Sequence, residues 1–564
     1  MSKEQGSESA VSGSQYIKEE EMAEEKEAPK KLSRKEFVKA AAVGGAGVGA
    51  VGAVGALASC AGAPGGVGTQ GPAGPAGPAG PAGPAGPSGI PEVTWDEEVD
   101  TDVVVVGAGA AGLVAAIKAK EAGANVLALE KTSDGMQSSL ALSSGVIMGS
   151  GTKAQARYAI EDSVELHVKE HMMVTRYTCD PRLVKLFAEA GGAWVDWFEE
   201  KGMVWEDNRL QGLVLDGRTT GRRAHWTHPT DLTLRGNKEA EILLDEAQDN
   251  GVEFLFSTRG TELITAEDGA VTGILAEDEE KKTIRVNAKA VILCTGGFAA
   301  NEDMLAAGSF PQPPTGGRSN YSPTSTGDGE RMANKIGADL IDMSFDHNLM
   351  LSGTEVLGAP GWAILVNPDG KRFVNEMSFY GYLARRIREQ PGAMAFVILD
   401  EEGIARGGWA ADRVEEALNT GQLAEASTIR ELADMILVSA DGLEETVAKV
   451  NQYAAADIDP DFGNYPNPDY YPQTGKLYPI STPPFYAVQK KLRTSFTLGG
   501  LKITPQAEVY SSVRGDIIPG LYAAGDCAGG LQGYYYPGSG TGIGGAFAFG
   551  AIAAENAVAY VKSL

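Results

Sequence analysis

Short unbroken apolar runs rich in valine, isoleucine and leucine mark strands buried on both faces, as in a parallel sheet. Asp102–Val106 is one such run, Ala290–Phe298 a second and Gly520–Asp526 a third. The first leads straight into Gly107-Ala108-Gly109-Ala110-Ala111-Gly112 and an alanine-rich stretch to Ala122 that reads as a helix. A further apolar run, Asn125–Leu129, then ends in Glu130. Strand, glycine turn, helix, strand and acid form a dinucleotide-binding unit. Gly107 permits the tight turn, Gly109 lets backbone amides approach a pyrophosphate, and Gly112 allows close packing of helix on strand. Glu130 stands where a carboxylate accepts hydrogen bonds from a ribose.

Before Glu97 the pattern changes. Residues 1–30 are polar, carry an acidic run from Glu19 to Glu27 and lack an apolar period, so they read as disordered. Lys30, Lys31, Arg34, Lys35 and Lys39 then precede an apolar run from Ala40 to Ser59 that ends at Cys60, the layout of a secretory signal. Ser33–Lys39 resembles the twin-arginine export motif, with Lys35 in place of the second arginine. Leu57-Ala58-Ser59-Cys60 resembles a lipoprotein cleavage box, which makes Cys60 the expected site of lipidation. A run of this length also suffices for an uncleaved membrane anchor. From Gly71 to Gly89 glycine recurs with a strict period of three, mostly as Gly-Pro-Ala, a collagen-like linker. It reads as an extended spacer or as a trimerising stalk.

Composition narrows the partners. The 564 residues carry a formal net charge of −27, which argues against nucleic acid and against an anionic membrane surface, leaving the lipid anchor as the membrane contact. Four cysteines without a CxxC build neither a disulfide scaffold nor an iron–sulfur or c-type haem site. No metal set is expected. His167 and His171, four apart, read as solvated surface residues, and His225 and His228, beside Arg222 and Arg223, are candidates for the mouth of the site.

The second and third apolar runs, ending in Gly296-Gly297 and Gly525-Asp526, resemble the later FAD-binding strands of glutathione-reductase-like flavoproteins. Together with Thr326-Gly327-Asp328-Gly329 and the stretch Ala363–Glu376, they resemble the family of soluble fumarate reductases, succinate dehydrogenase flavoprotein subunits and 3-ketosteroid dehydrogenases. The resemblance implies an α/β fold with FAD as cofactor. A Rossmann-like, glutathione-reductase-like FAD-binding domain, residues 97–345 and 494–564, would be interrupted by an α+β capping domain at 346–493, after an export signal at 1–60 and a linker at 61–96. It also implies cofactor contacts at Gly107, Gly109, Ala111, Gly112, Glu130, Gly296, Asp526, Thr541 and Ile543.

Fumarate reductases of this family grip a dicarboxylate with arginines. At the corresponding places this chain has Tyr380 and the segment Tyr534–Gly545, which contains no basic residue, although Thr354-Glu355 matches a substrate-binding pair and His347 lies near a substrate histidine. The tyrosines resemble those of 3-ketosteroid dehydrogenases. That likeness implies that Tyr536 and Gly540 hold a ketone oxygen as it becomes an enolate, while Tyr380 exchanges the proton beside the carbonyl. The expectation is an exported FAD-dependent oxidoreductase acting on a ketone or enone, exchanging electrons with a separate quinone, cytochrome or flavoprotein. One alternative is an enoate reductase of the fumarate, urocanate or acrylate type, with Arg385 or Arg386 rebuilding the acid clamp. Another is a surface adhesion protein that uses the collagen-like stalk.

Overall fold

The computed structural model describes residues 94–564, except 213, 216–217, 220, 228–234, 309–321, 352–361, 377 and 464–476. The export signal with Cys60, the collagen-like stretch, His228, Thr354 and Glu355 lie outside the described residues.

The first strand, β1 (Glu97–Val106), is followed by α1 (Ala110–Glu121) and β2 (Val126–Leu129). β1 is an interior strand with a parallel neighbour on each side, and Val103–Val106 are buried because helices, α1 among them, pack against the faces from which their side chains project. α1 is apolar nearly all round, with Ala111–Ile117 and Ala119 buried, as befits a helix enclosed by protein. The chain continues through α2 (Val164–Val174), α3 (Pro181–Glu200), β3 (Ala224–Thr227), α4 (Arg235–Asp249), β4 (Glu253–Leu255), β5 (Arg259–Thr265), β6 (Val271–Glu277), β7 (Thr283–Leu293) and α5 (Asp328–Lys335).

A second sheet then intervenes. Its elements are β8 (Asp346–Leu351), β9 (Ile364–Val366), α6 (Tyr380–Arg388), β10 (Ala395–Asp400), β11 (Leu423–Ala426) and β12 (Phe485–Thr497). The strands are antiparallel in the order β8-β12-β10-β9, with β11 also on β12. Alternate residues face opposite ways along a strand. Leu365 and Val397 therefore join Leu383 and Ile387 in one core, while Ile364 and Ile398 join Leu432 and Leu443 in another. β12 runs on to Thr497, past Arg493, because Asp346–Asn348 of β8 pair with its end.

After this excursion β13 (Glu508–Tyr510), β14 (Ile517–Ala523) and α7 (Thr541–Ser563) return to the first sheet. Its order is β13-β14-β7-β1-β2-β4, with β6 and β5 added antiparallel from β7. From β14 to β4 the pairings are parallel. α7 is long and apolar enough to cross a membrane by composition, yet it is a packed helix: a Cβ at Gly550 would lie 2.5 Å from the Ala111 carbonyl oxygen of α1. The C-terminal ends of β1, β2, β7 and β14 deliver Gly107, Glu130, Gly296 and Asp526 to one edge, where ligands of such sheets bind.

Candidate active site

A cavity of about 440 Å³ opens along that edge, and Gly107, Gly109, Ala111, Glu130, Gly296, Asp526 and Ile543 all line it. At Gly107 the backbone is left-handed (φ +104°), and a Cβ there would lie 2.4 Å from the Cys294 carbonyl oxygen. Gly112 does not line the cavity; its Cβ would meet the Gly107 carbonyl oxygen at 1.8 Å, so it seats the helix against the turn. One oxygen of Glu130 accepts the Ala108 N–H at 2.8 Å, and the other accepts the N–H and hydroxyl of Thr132, both at 2.8 Å. A carboxylate has about four acceptor positions, so Glu130 fastens the turn and keeps capacity for a ribose hydroxyl. Burial pushes the Asp526 carboxyl up to about 7. Thr541, expected among the cofactor contacts, is wholly buried and off the cavity wall; its hydroxyl donates to the Gly538 carbonyl at 2.9 Å. The first helical residue is turned inward because Gly540, in the left-handed region at φ +89°, ends the preceding loop against Met148.

The other end of the cavity is aromatic. His347, on β8, stacks on Phe496 of β12 at 4.7 Å between ring centres. Its edge meets Tyr536 at 4.5 Å and Tyr380, the first residue of α6, at 5.6 Å. Both imidazole nitrogens are buried without a hydrogen-bond partner among the described residues, and burial pushes the ring down to about 3, so it is neutral. The Tyr536 hydroxyl accepts the Gly542 N–H at 3.1 Å, and burial holds its ionisation above the usual phenol range. The Tyr380 hydroxyl lies 3.5 Å from the Ser539 hydroxyl. Tyr380, Tyr536, Gly540 and His347 thus converge, although they come from helix α6, the loop before α7 and strand β8.

Neither arginine of the alternative clamp reaches this wall. Arg385 is buried behind it, 3.2 Å from Asp346, donating to the Asp346 carbonyl at 2.9 Å and lying over the Tyr534 ring at 4.4 Å. Arg386 pairs with Glu389 near the surface. Among the described residues, the basic side chains on the cavity wall are Lys131 and Arg259, both bound to Asp328.

The remaining histidines also differ from expectation. His167 and His171 are buried, not solvated, packed edge-on against Phe187 at 5.1 and 6.1 Å. A helical spacing of four places both on one face, but only the tertiary packing shows that α3 covers that face. His225 is buried and bonds Thr152 and the Arg223 carbonyl, while its neighbour Trp226 lines the cavity. Sequence reasoning also missed Lys131, Arg259, Phe496 and Ser539. Only Ser539, flanked by Gly538 and Gly540, carried a local signal.

The cradle fits FAD: backbone replaces side chains where a pyrophosphate must approach, a carboxylate faces the ribose position, and the length spans several strand ends. A family profile described as an FAD binding domain matches residues 102–543. Urocanate reductase of Eggerthella lenta is 33% identical over 488 residues, covering 83% of this chain and 76% of that protein. Fumarate reductase (cytochrome) of Shewanella frigidimarina is 32% identical over 468 residues, covering 82% and 77% respectively. Among solved structures, 3-ketosteroid-Δ4-(5α)-dehydrogenase from Rhodococcus jostii, in complex with 4-androstene-3,17-dione, superposes with a TM-score of 0.69 at 29% identity, covering 82% of this chain and 98% of that one. The chain belongs to the FAD-binding-domain family and is an FAD-dependent oxidoreductase acting on CH–CH bonds.

Proposed function

We propose that this enzyme reduces a carbon–carbon double bond conjugated to a single carbonyl or carboxyl group on a planar, ring-bearing substrate. The observation that carries the reading is the aromatic end of the cavity, with His347, Phe496, Tyr380 and Tyr536 and no described arginine. A dicarboxylate buried there would lack charge partners, at a cost of several kcal/mol. A flat ring instead finds rings to stack on. The reductive direction is supported by the names of the relatives, urocanate and fumarate reductases, of which urocanate reductase is named for a ring-bearing substrate.

FAD, when bound, supplies hydride transfer to carbon. The Tyr536 hydroxyl, its oxygen already accepting the Gly542 N–H, donates its proton into the charge that develops on the substrate oxygen, and Gly540 closes the same pocket. Tyr380 carries the proton delivered to the carbon beside the activating group. Neutral His347 neither attracts nor repels that charge and serves as a flat wall. Electrons would come from a separate partner such as a cytochrome or quinone, and the N-terminal signal with Cys60 would hold the enzyme outside the cytoplasmic membrane.

The ketosteroid-type dehydrogenation remains a second reading, favoured by the likeness to the steroid enzyme and by the paired tyrosines. Anaerobically reduced enzyme mixed with an aryl acrylate, a cyclic enone or fumarate tests the first reading, and oxidised enzyme mixed anaerobically with a saturated 3-ketosteroid tests the second. We expect the flavin to reoxidise with the aryl acrylate or cyclic enone. Fastest reoxidation by fumarate would overturn the proposal, and bleaching of the oxidised flavin by the steroid, without reoxidation of the reduced enzyme by the acrylate or the enone, would select the second reading.

A further inference from the structure

Lys131 follows Glu130 at the end of β2, and its side chain makes three bonds to one distant stretch. The ammonium donates to the Thr324 carbonyl, to the Thr326 hydroxyl at 3.1 Å and to the Asp328 carboxylate at 2.9 Å. Arg259, at the start of β5, reaches the same carboxylate through Nε at 3.2 Å and through a terminal nitrogen. The stretch is stitched on its other flank as well: the Ser322 hydroxyl donates to the Gln137 carbonyl at 2.6 Å, and the hydroxyls of Ser139 and Ser325 lie 3.4 Å apart. Lys131, Ser139, Arg259, Thr324, Ser325 and Asp328 all line the cavity beside Glu130.

We propose that Lys131 is a positioning residue that locks FAD into the enzyme, its ammonium fastening Ser322–Asp328 as a strap across the Glu130 end of the cavity. The inference rests on the family's cofactor and not on any choice of substrate. Geometry supports a strap rather than ordinary surface pairing. An exposed ion pair contributes little and is screened by salt. Here the Asp328 side chain is 6% exposed and that of Lys131 23%, and the three acceptors of Lys131 lie within five consecutive residues. Arg331, off the cavity wall, adds a third cation at 2.9 Å, so Asp328 is outnumbered by its own partners. Burial pushes the Asp328 carboxyl up, but Arg259 and Lys131 outweigh it and hold the group down to about 2, so the strap stays charged at neutral pH. For FAD to leave, the strap must open and Lys131 must give up its bonds together.

The test follows flavin fluorescence as holoenzyme, full chain, is diluted at low and high potassium chloride. Lys131→Met and Asp328→Asn are compared with Lys131→Arg and with Lys502→Met, which removes a 3.1 Å ion pair to Asp339 off the cavity wall. We expect Lys131→Met to release FAD about ten-fold faster, as loss of roughly 1.4 kcal/mol implies. Lys131→Arg should restore most of the retention, and Lys502→Met should match the wild type. Salt should speed release from the wild type and leave Lys131→Met nearly unaffected. Should Lys131→Met fail to fold, Asp328→Asn and the salt dependence of the wild type decide the question. Release from the soluble variants within two-fold of wild type, or wild-type release insensitive to salt, would overturn the proposal.

Discussion

Replacing Tyr536 by phenylalanine removes one oxygen from the site and separates catalysis from stability. The ring stays, so the contact with His347 at 4.5 Å and the wall against Phe496 at 5.2 Å persist, and substrate still has its stacking surface. Two things are lost. The donor to the developing oxyanion disappears, which by analogy with other such donors lowers kcat roughly 10²–10³-fold, or about 3–4 kcal/mol. The half-buried Gly542 N–H, 3.1 Å from the phenol oxygen, loses its acceptor, so the stability cost should lie at the low end of the roughly 1–3 kcal/mol that a fully buried orphaned donor carries. An interaction made only in the transition state lowers kcat and kcat/KM together, leaving KM nearly unchanged. Burial keeps the phenol protonated across neutral pH, so the loss should be the same from about pH 6 to 9. Anaerobic stopped-flow mixing of reduced enzyme with substrate gives the rate, flavin content confirms loading, and urea unfolding gives the stability. Reoxidation within three-fold of wild type at normal flavin content would refute the assignment of Tyr536.

Three further outcomes are expected. Gly112→Ala puts a Cβ 1.8 Å from the Gly107 carbonyl oxygen, so α1 must move off the turn, and purified protein should carry little FAD by its flavin-to-protein absorbance ratio; normal content would show the turn tolerates the shift. Glu239, on α4, is buried with neither oxygen bonded among the described residues, and burial raises its carboxyl from 4.5 to about 8. The folded protein therefore retains a proton that the unfolded chain releases, a penalty absent below pH 4.5 that grows as pH rises toward 8. Glu239→Gln should gain about 2–3 kcal/mol relative to wild type between pH 5 and pH 7 in urea midpoints, and an equal difference at both pH values would contradict this. His347, held down to about 3, should show no imidazole titration by NMR between about pH 5 and 8; a midpoint near 6.5 would place it in contact with water or an acid.

The fold was legible wherever one local rule sufficed. β1, the glycine turn, α1, β2 and Glu130 follow from apolar runs, glycine spacing and a terminal acid, each confined to about thirty residues. The two histidines of α2 were not legible, since four-residue spacing fixes their common face but not the helix that covers it. Nor was the fate of Arg385: its position one turn beyond Tyr380 suited a clamp, yet Asp346 from β8 draws it behind the wall.

Sequence alone determined the cofactor unit and the lack of any basic residue between Tyr534 and Gly545, because backbone approach needs glycine and a charge clamp in that segment needs a basic side chain. Tertiary structure decided that Tyr380, His347, Phe496 and Tyr536 share one aromatic wall, that Thr541 is buried off the cavity lining, and that Lys131 is tied to residues nearly two hundred positions later. The physical reason is range. Turn geometry and strand burial are set by neighbours in sequence, whereas burial of a particular side chain and the partner of a particular charge depend on which distant strands are packed beside it.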